Sequence, residues 1–100
     1  MAVLTASDLT GLAPVGRYFM KTLSFTVSNT GAADEWIVTG LRQIKAVVGF
    51  AVQGATKGSC NFVMNNLAGT GTAADQSGGG GGLGVESDVA ATIHVTVLGR

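Results

Sequence analysis

The sequence predicts an all-β fold, a single small antiparallel sandwich or barrel. Three observations lead there. Apolar residues recur at every second position in the stretches 17–31, 41–54, 59–66 and 87–100, the period of a strand with one face buried. Val, Ile, Thr and Phe dominate these stretches, the residue types that fit a pleated surface. No window of ten or more residues holds a 3.6-residue apolar period, so nothing competes for a helix.

Residues 1–16 come first and break the pattern. "VLTASDLTGLAPVG" contains the chain's one proline, Pro14, together with several turn formers. We expect an extended N-terminal arm there, with at most a brief helical turn after Ser7, since Ser and Asp favour helix starts. Removing this arm should leave the β-domain, residues 17–100, folded.

In "RYFMKTLSFTVSNTG", Phe19, Leu23, Phe25 and Val27 alternate with Thr22, Ser24, Thr26 and Ser28, and "SNTG" closes the strand with turn chemistry. "DEWIVTG" is a shorter strand that sets Trp36 and Val38 on one face. "LRQIKAVVGFAVQG" is the plainest strand. Strict alternation puts Ile44, Ala46, Val48, Phe50 and Val52 on one face and Gln43, Lys45, Val47, Gly49, Ala51 and Gln53 on the other. "SCNFVMNN" repeats the scheme, with Cys60, Phe62 and Met64 opposite Asn61, Val63 and Asn65. In the last strand Val89, Ala91, Ile93, Val95 and Val97 oppose Ala90, Thr92, His94, Thr96 and Leu98.

Between the fourth strand and the last lies "LAGTGTAADQSGGGGGLGVE". Five consecutive glycines, Gly78 to Gly82, raise the question of what the run is for. A phosphate-binding loop requires Lys and a hydroxyl after the final glycine, and Leu83 stands there instead. "GTGTAA" at 69–74 resembles part of a dinucleotide fingerprint, but no βαβ unit follows it. A domain linker would need a second domain after it. The run is therefore read as part of a long loop, 67–84, inside one domain, either slack or ordered against a neighbouring subunit. Loops of this length are usually functional or disordered.

Charge is scarce. Six basic and six acidic residues give a net charge of zero, and 12% of the chain is charged against roughly 25% in ordinary globular proteins. No basic patch points to nucleic acid. No stretch approaches the roughly 18 apolar residues that a membrane-spanning helix needs. The first residues lack the basic start and continuous apolar core of a secretory signal, so synthesis in a cytoplasm is expected. A neutral, weakly charged surface resists self-association poorly, which suggests that other chains cover part of it.

No catalytic, cofactor-binding or metal-ligating residues are assigned, and no cofactor is expected. Cys60 is the one cysteine and His94 the one histidine. The alternation sends Cys60 inward and His94 outward, which separates the only conceivable nucleophile–base pair. Glu86 and Asp88 share a face and are read as solvated carboxylates rather than ligands of a hard cation. Trp36, beside Asp34 and Glu35, is read as core or interface rather than a carbohydrate platform. Tyr18 and Met20 fall on the hydroxyl-bearing face, where they suit either an intersubunit contact or a place beneath the N-terminal arm.

Taken together, "TLSFTVSNTG", "VTGLRQIKAVVGFAVQG" and "TIHVTVLGR", the Met-Ala start, the arm and the glycine-rich loop resemble the small structural proteins of tailed-bacteriophage virions. The resemblance is to head decoration or cement proteins in particular. It is one of style along the chain and carries over no functional residue. It implies a non-enzymatic protein on the capsid exterior, made in the host cytoplasm, that forms a homo-oligomer, often a trimer. Its partner would be the major capsid protein, with no direct contact to nucleic acid or membrane. The arm and the 67–84 loop would carry the contacts. A tail, neck or head-fibre component is the alternative, and a carbohydrate-binding β-sandwich comes behind it.

Overall fold

The computed structural model describes residues 2–27, 35–54, 56–65 and 81–100. These form nine strands and, among the described residues, no helix: β1 (Ala2–Leu4), β2 (Ser7–Asp8), β3 (Ala13–Val15), β4 (Tyr18–Val27), β5 (Glu35–Val38), β6 (Ile44–Gln53), β7 (Cys60–Asn65), β8 (Gly82–Ser87) and β9 (Ala91–Gly99). A larger sheet runs β2-β4-β9-β6, with β3 added beside β2 on the same edge of β4. A smaller sheet runs β1-β5-β8-β7 and is antiparallel except for the parallel β1–β5 pair. The two pack face to face as an open sandwich and do not close into a barrel.

The core follows from the alternation. β4 and β9 lie side by side over nine paired residues, with Leu23 opposite Val95 and Phe25 opposite Ile93. These four side chains, with Val27 and Val97, line the inner face of the larger sheet. Ile37, Leu83, Val85 and Cys60 meet them from the smaller sheet. Ile37, Leu83, Ile93 and Val95 are fully buried, and each such side chain contributes about 1.5–3 kcal/mol through removal from water.

Three expectations are revised. The N-terminal residues are extended, but they are stitched into the domain. β1 extends the smaller sheet, β2 and β3 extend the larger, and Leu4 and Ala6 pack on the core where the chain crosses between sheets. Their removal would strip both sheets of edge strands, so the domain is not expected to survive it intact. No helical turn follows Ser7. The Asp8 Oδ1 instead accepts the Gly11 amide at 2.8 Å and the Thr10 amide at 3.3 Å, a side-chain-capped turn that competes with helix.

The second revision concerns β6. Register shifts between Ile44 and Ala46 and between Val47 and Gly49 insert two bulge residues, Lys45 and Val48. A bulge adds one residue against none on the partner and reverses the inward–outward order beyond it. Val47 therefore packs on the core, while Val48 is exposed. Two bulges restore the original phase, so Val52 packs inward as the alternation required.

The third concerns the glycine-rich segment. Its described part is the turn at Gly81 and the strand β8, a central strand of the smaller sheet. The rest of the 67–84 stretch, with "GTGTAA", lies outside the described residues. Close packing accounts for two of the glycines. A Cβ on Gly81 would collide with the main-chain carbonyl oxygen of Leu41. At that junction the Gly81 carbonyl accepts the Thr39 amide at 2.9 Å and the buried Thr39 hydroxyl at 2.7 Å. A Cβ on Gly84 would come within 2.6 Å of Val63 and 3.1 Å of the Trp36 ring.

Candidate interaction surfaces

The residues weighed for chemistry fall into separate places. Cys60 is buried against the core, opposite Ser87 in the β7–β8 register. Burial pushes its thiol above the ordinary range, the Ser87 hydroxyl partly opposes this, and the Asp88 charge adds to it. A raised thiol is a poor nucleophile at neutral pH. His94 lies on the outer face of the other sheet, its Nε2 at 2.6 Å from the Gln53 Oε1. The body of the sandwich separates the two. Asp88 is committed to Ser59, accepting its amide at 2.7 Å and its hydroxyl at 3.1 Å, while Glu86 is exposed. Among the described residues, no three His, Cys, Asp or Glu side chains come together as a metal site.

What remains are surfaces, and three are distinct. The first is the N-terminal edge. Leu9 is 52% and Leu12 54% exposed, and Val15 and Phe19 are also exposed. They are held firmly. The Leu9 amide donates to the Thr22 carbonyl at 2.9 Å, and the Thr22 amide donates to the Thr10 hydroxyl at 3.0 Å. Asp8 ties the turn to the largely buried Lys21 through a 3.3 Å ion pair. The Gly11 amide, foremost, holds the Asp8 carboxyl below its ordinary value, aided by Lys21 and the Thr10 amide; desolvation opposes them.

The second surface is the outer face of the larger sheet. β4 contributes Tyr18, Met20, Thr22, Ser24 and Thr26. Opposite Met20, Thr22, Ser24 and Thr26 on β9 stand Leu98, Thr96, His94 and Thr92, and Arg100 follows them, exchanging main-chain hydrogen bonds with Gln43. β6 adds Ala46, Gly49, Ala51 and Gln53 in the same register. Hydroxyls pair across the strands, Thr22 with Thr96 at 2.9 Å and Thr26 with Thr92 at 3.4 Å. Tyr18 and Met20 are half-buried, facing Val15 and Ala13 of β3 across the register. They stand beside the N-terminal segment, the second of the two settings considered for them.

The third surface is the outer face of the smaller sheet. Trp36, Gly84 and Val63 stand in one row across β5, β8 and β7. Trp36 is 8% exposed yet lies outside the core cluster, and Val63 is 56% exposed. A groove of ≈ 270 Å³ runs over this row, with Asn61 and Glu86 on its lining. The indole lies against Gly84, so it is not the open aromatic plate on which a sugar stacks. Asp34, its neighbour in sequence, lies outside the described residues. At the β6–β7 side of the sandwich, Phe50 and Phe62 meet edge to face with ring centroids 5.4 Å apart.

Sequence reasoning missed β8, the bulges of β6 and the Asp8–Lys21 pair. A signal for β8 was present, since Leu83, Val85 and Ser87 alternate with Gly82, Gly84 and Glu86. Compared with known protein families, curated proteins and solved structures, the chain matches none.

Proposed function

We propose that this chain is a non-enzymatic structural protein of a virion that attaches to the assembled capsid as a decoration or cement protein. The observation that carries the reading is the N-terminal edge, where Leu9, Leu12, Val15 and Phe19 present apolar surface on a hydrogen-bonded turn. A pre-ordered apolar edge loses little conformational freedom when a partner covers it, so more of the burial energy appears as affinity. Weak single contacts repeated over a lattice gain avidity wherever neighbouring copies engage together. The scarcity of charge supports the same reading, because few ions lose hydration at such contacts. The attachment surface is thus the rigid edge of the N-terminal segment rather than a free arm.

Leu12→Asp tests it without disturbing the core. In particles purified from the phage that encodes the chain, the wild type should be found on the capsid exterior by electron cryo-microscopy. The variant should stay in the soluble fraction, with its thermal midpoint unchanged. A wild-type chain absent from the particles would overturn the reading. A chain found on the tail or neck would establish the alternative virion role.

A further inference from the structure

The edges of the two sheets differ in how they are protected against pairing with a further strand. β1, β2 and β3 are two or three residues long, and β3 contains Pro14. β6, the far edge of the larger sheet, is long but broken by two bulges, the first at the exposed Lys45. Short strands, proline, bulges and lysine are the devices that keep a free edge from serving as a template. β7, the outer strand of the smaller sheet, has none of them. Its residues, "CNFVMN", pair with β8 in unbroken register and include no charge and no proline. Among the described residues nothing pairs with its other side, so the main-chain groups that turn away from β8 are open there. Exposed apolar side chains gather on the same side of the sandwich, Val48 and Phe50 on β6 and Val63 and Met64 on β7.

We propose that β7 pairs with β7 of a second copy, antiparallel across a twofold axis, so that the two smaller sheets join into one. Three features select a second copy. The protections of the other edges act first against self-pairing, because a protein's own copies are the strands it meets most often, and β7 alone omits them. The register is self-complementary. A twofold axis centred on Val63 sets Val63 opposite the partner's Val63 and Phe62 opposite the partner's Met64, with directly opposed residues on the same face. Phe62 packs on the core and meets Phe50 edge to face, and the pairing adds a thioether–aromatic contact to it. Val63 meets its counterpart on the outer face, which stays open to water. Finally, an uncharged strand on a neutral chain strands no ion and meets no net repulsion. Water can bond the open main-chain groups, but it cannot shelter Phe50 and Met64. The contact is isologous and closes as a pair, in place of the threefold assembly that the resemblance implies. The inference concerns the isolated chain and does not rest on capsid attachment, which uses the N-terminal edge at the opposite end of the larger sheet.

Sedimentation equilibrium of the purified full chain tests it, together with hydrogen exchange of the β7 amides. The wild type should sediment at twice the chain mass of 10.0 kDa. Its β7 amides should exchange more slowly in a concentrated sample than after dilution. Met64→Glu should weaken the pair by at least about tenfold, since symmetry sets a carboxylate against Phe62 in both halves of the contact. Leu12→Asp, on the N-terminal edge, should leave the mass unchanged. Circular dichroism identifies any variant that fails to fold, and the wild-type mass and exchange are decisive without the variants. A wild type that stays single at millimolar concentration would leave the edge to another protein or to water and overturn the proposal. A threefold mass, a pair whose β7 amides exchange as fast as those of the single chain, a Met64→Glu pair as tight as the wild type, or equal dissociation by Leu12→Asp would each overturn it too.

Discussion

The two outer faces of the sandwich meet the same requirement in opposite ways. Each belongs to a sheet whose inner face carries the apolar core, and each must make its other face tolerable. The larger sheet does so by cross-strand matching, with threonines facing threonines and His94 facing Gln53. The smaller sheet accommodates one large aromatic, and a strand is thinned to glycine where the Trp36 ring lies. Matching leaves a low, even surface. Accommodation leaves a groove with an exposed valine and a carboxylate on its lining. Gly49 on the larger sheet has open space beside it, whereas Gly84 on the smaller is hemmed in by Val63 and Trp36.

Glycine substitutions break this comparison most sharply. Gly81→Ala, at the start of the smaller sheet's central strand, drives a methyl into the Leu41 carbonyl, which is backbone and cannot turn aside. We expect a loss of about 3 kcal/mol, at the upper end of overpacking costs, measured by urea unfolding. Gly84→Val should cost less, about 1–3 kcal/mol, because the Val63 side chain and the indole can shift. Gly49→Val on the larger sheet meets open space and should change stability by no more than about 0.5 kcal/mol. If Gly84→Val were as harmless as Gly49→Val, the distinction between the two faces would be lost.

The smallest effect concerns the N-terminal edge. The Asp8 carboxyl sits below its ordinary value of 3.8 in the folded chain, chiefly through the Gly11 amide and also through Lys21. A carboxyl lowered by folding adds stability above its unfolded value, and that contribution disappears as pH falls through the folded value. Asp8→Asn should therefore melt slightly below the wild type at pH 7. The gap between the two should narrow steadily as the pH drops below about 4. A constant gap across pH 3–7 would remove the role given to this ion pair and its turn.

How much of this was legible in the sequence depended on whether a residue's role was local. β4 and β9 could be read because their alternation is unbroken and their partners are long. The phase of β6 was misread because a bulge is a property of the pair, and nothing in "IKAVVGFAVQ" marks Lys45 and Val48 as the unpaired residues. β8 was hidden by its glycines, which suggest freedom when counted along the chain and constraint once Leu41, Val63 and Trp36 are seen around them. Pro14 and the turn formers suggested an unpaired arm, although edge strands tolerate proline and β3 is such a strand. Composition registered the shortage of charge.

The most direct test leaves the chain unaltered. A soluble paramagnetic agent, added to a concentrated sample, attenuates the nuclear magnetic resonance signals of groups that solvent reaches. The account predicts that the methyl signals of Leu9, Leu12 and Val63 fade while those of Ile37, Leu83 and Val95 persist. Persistence of the Leu9 and Leu12 signals, or equal fading of both sets, would contradict it.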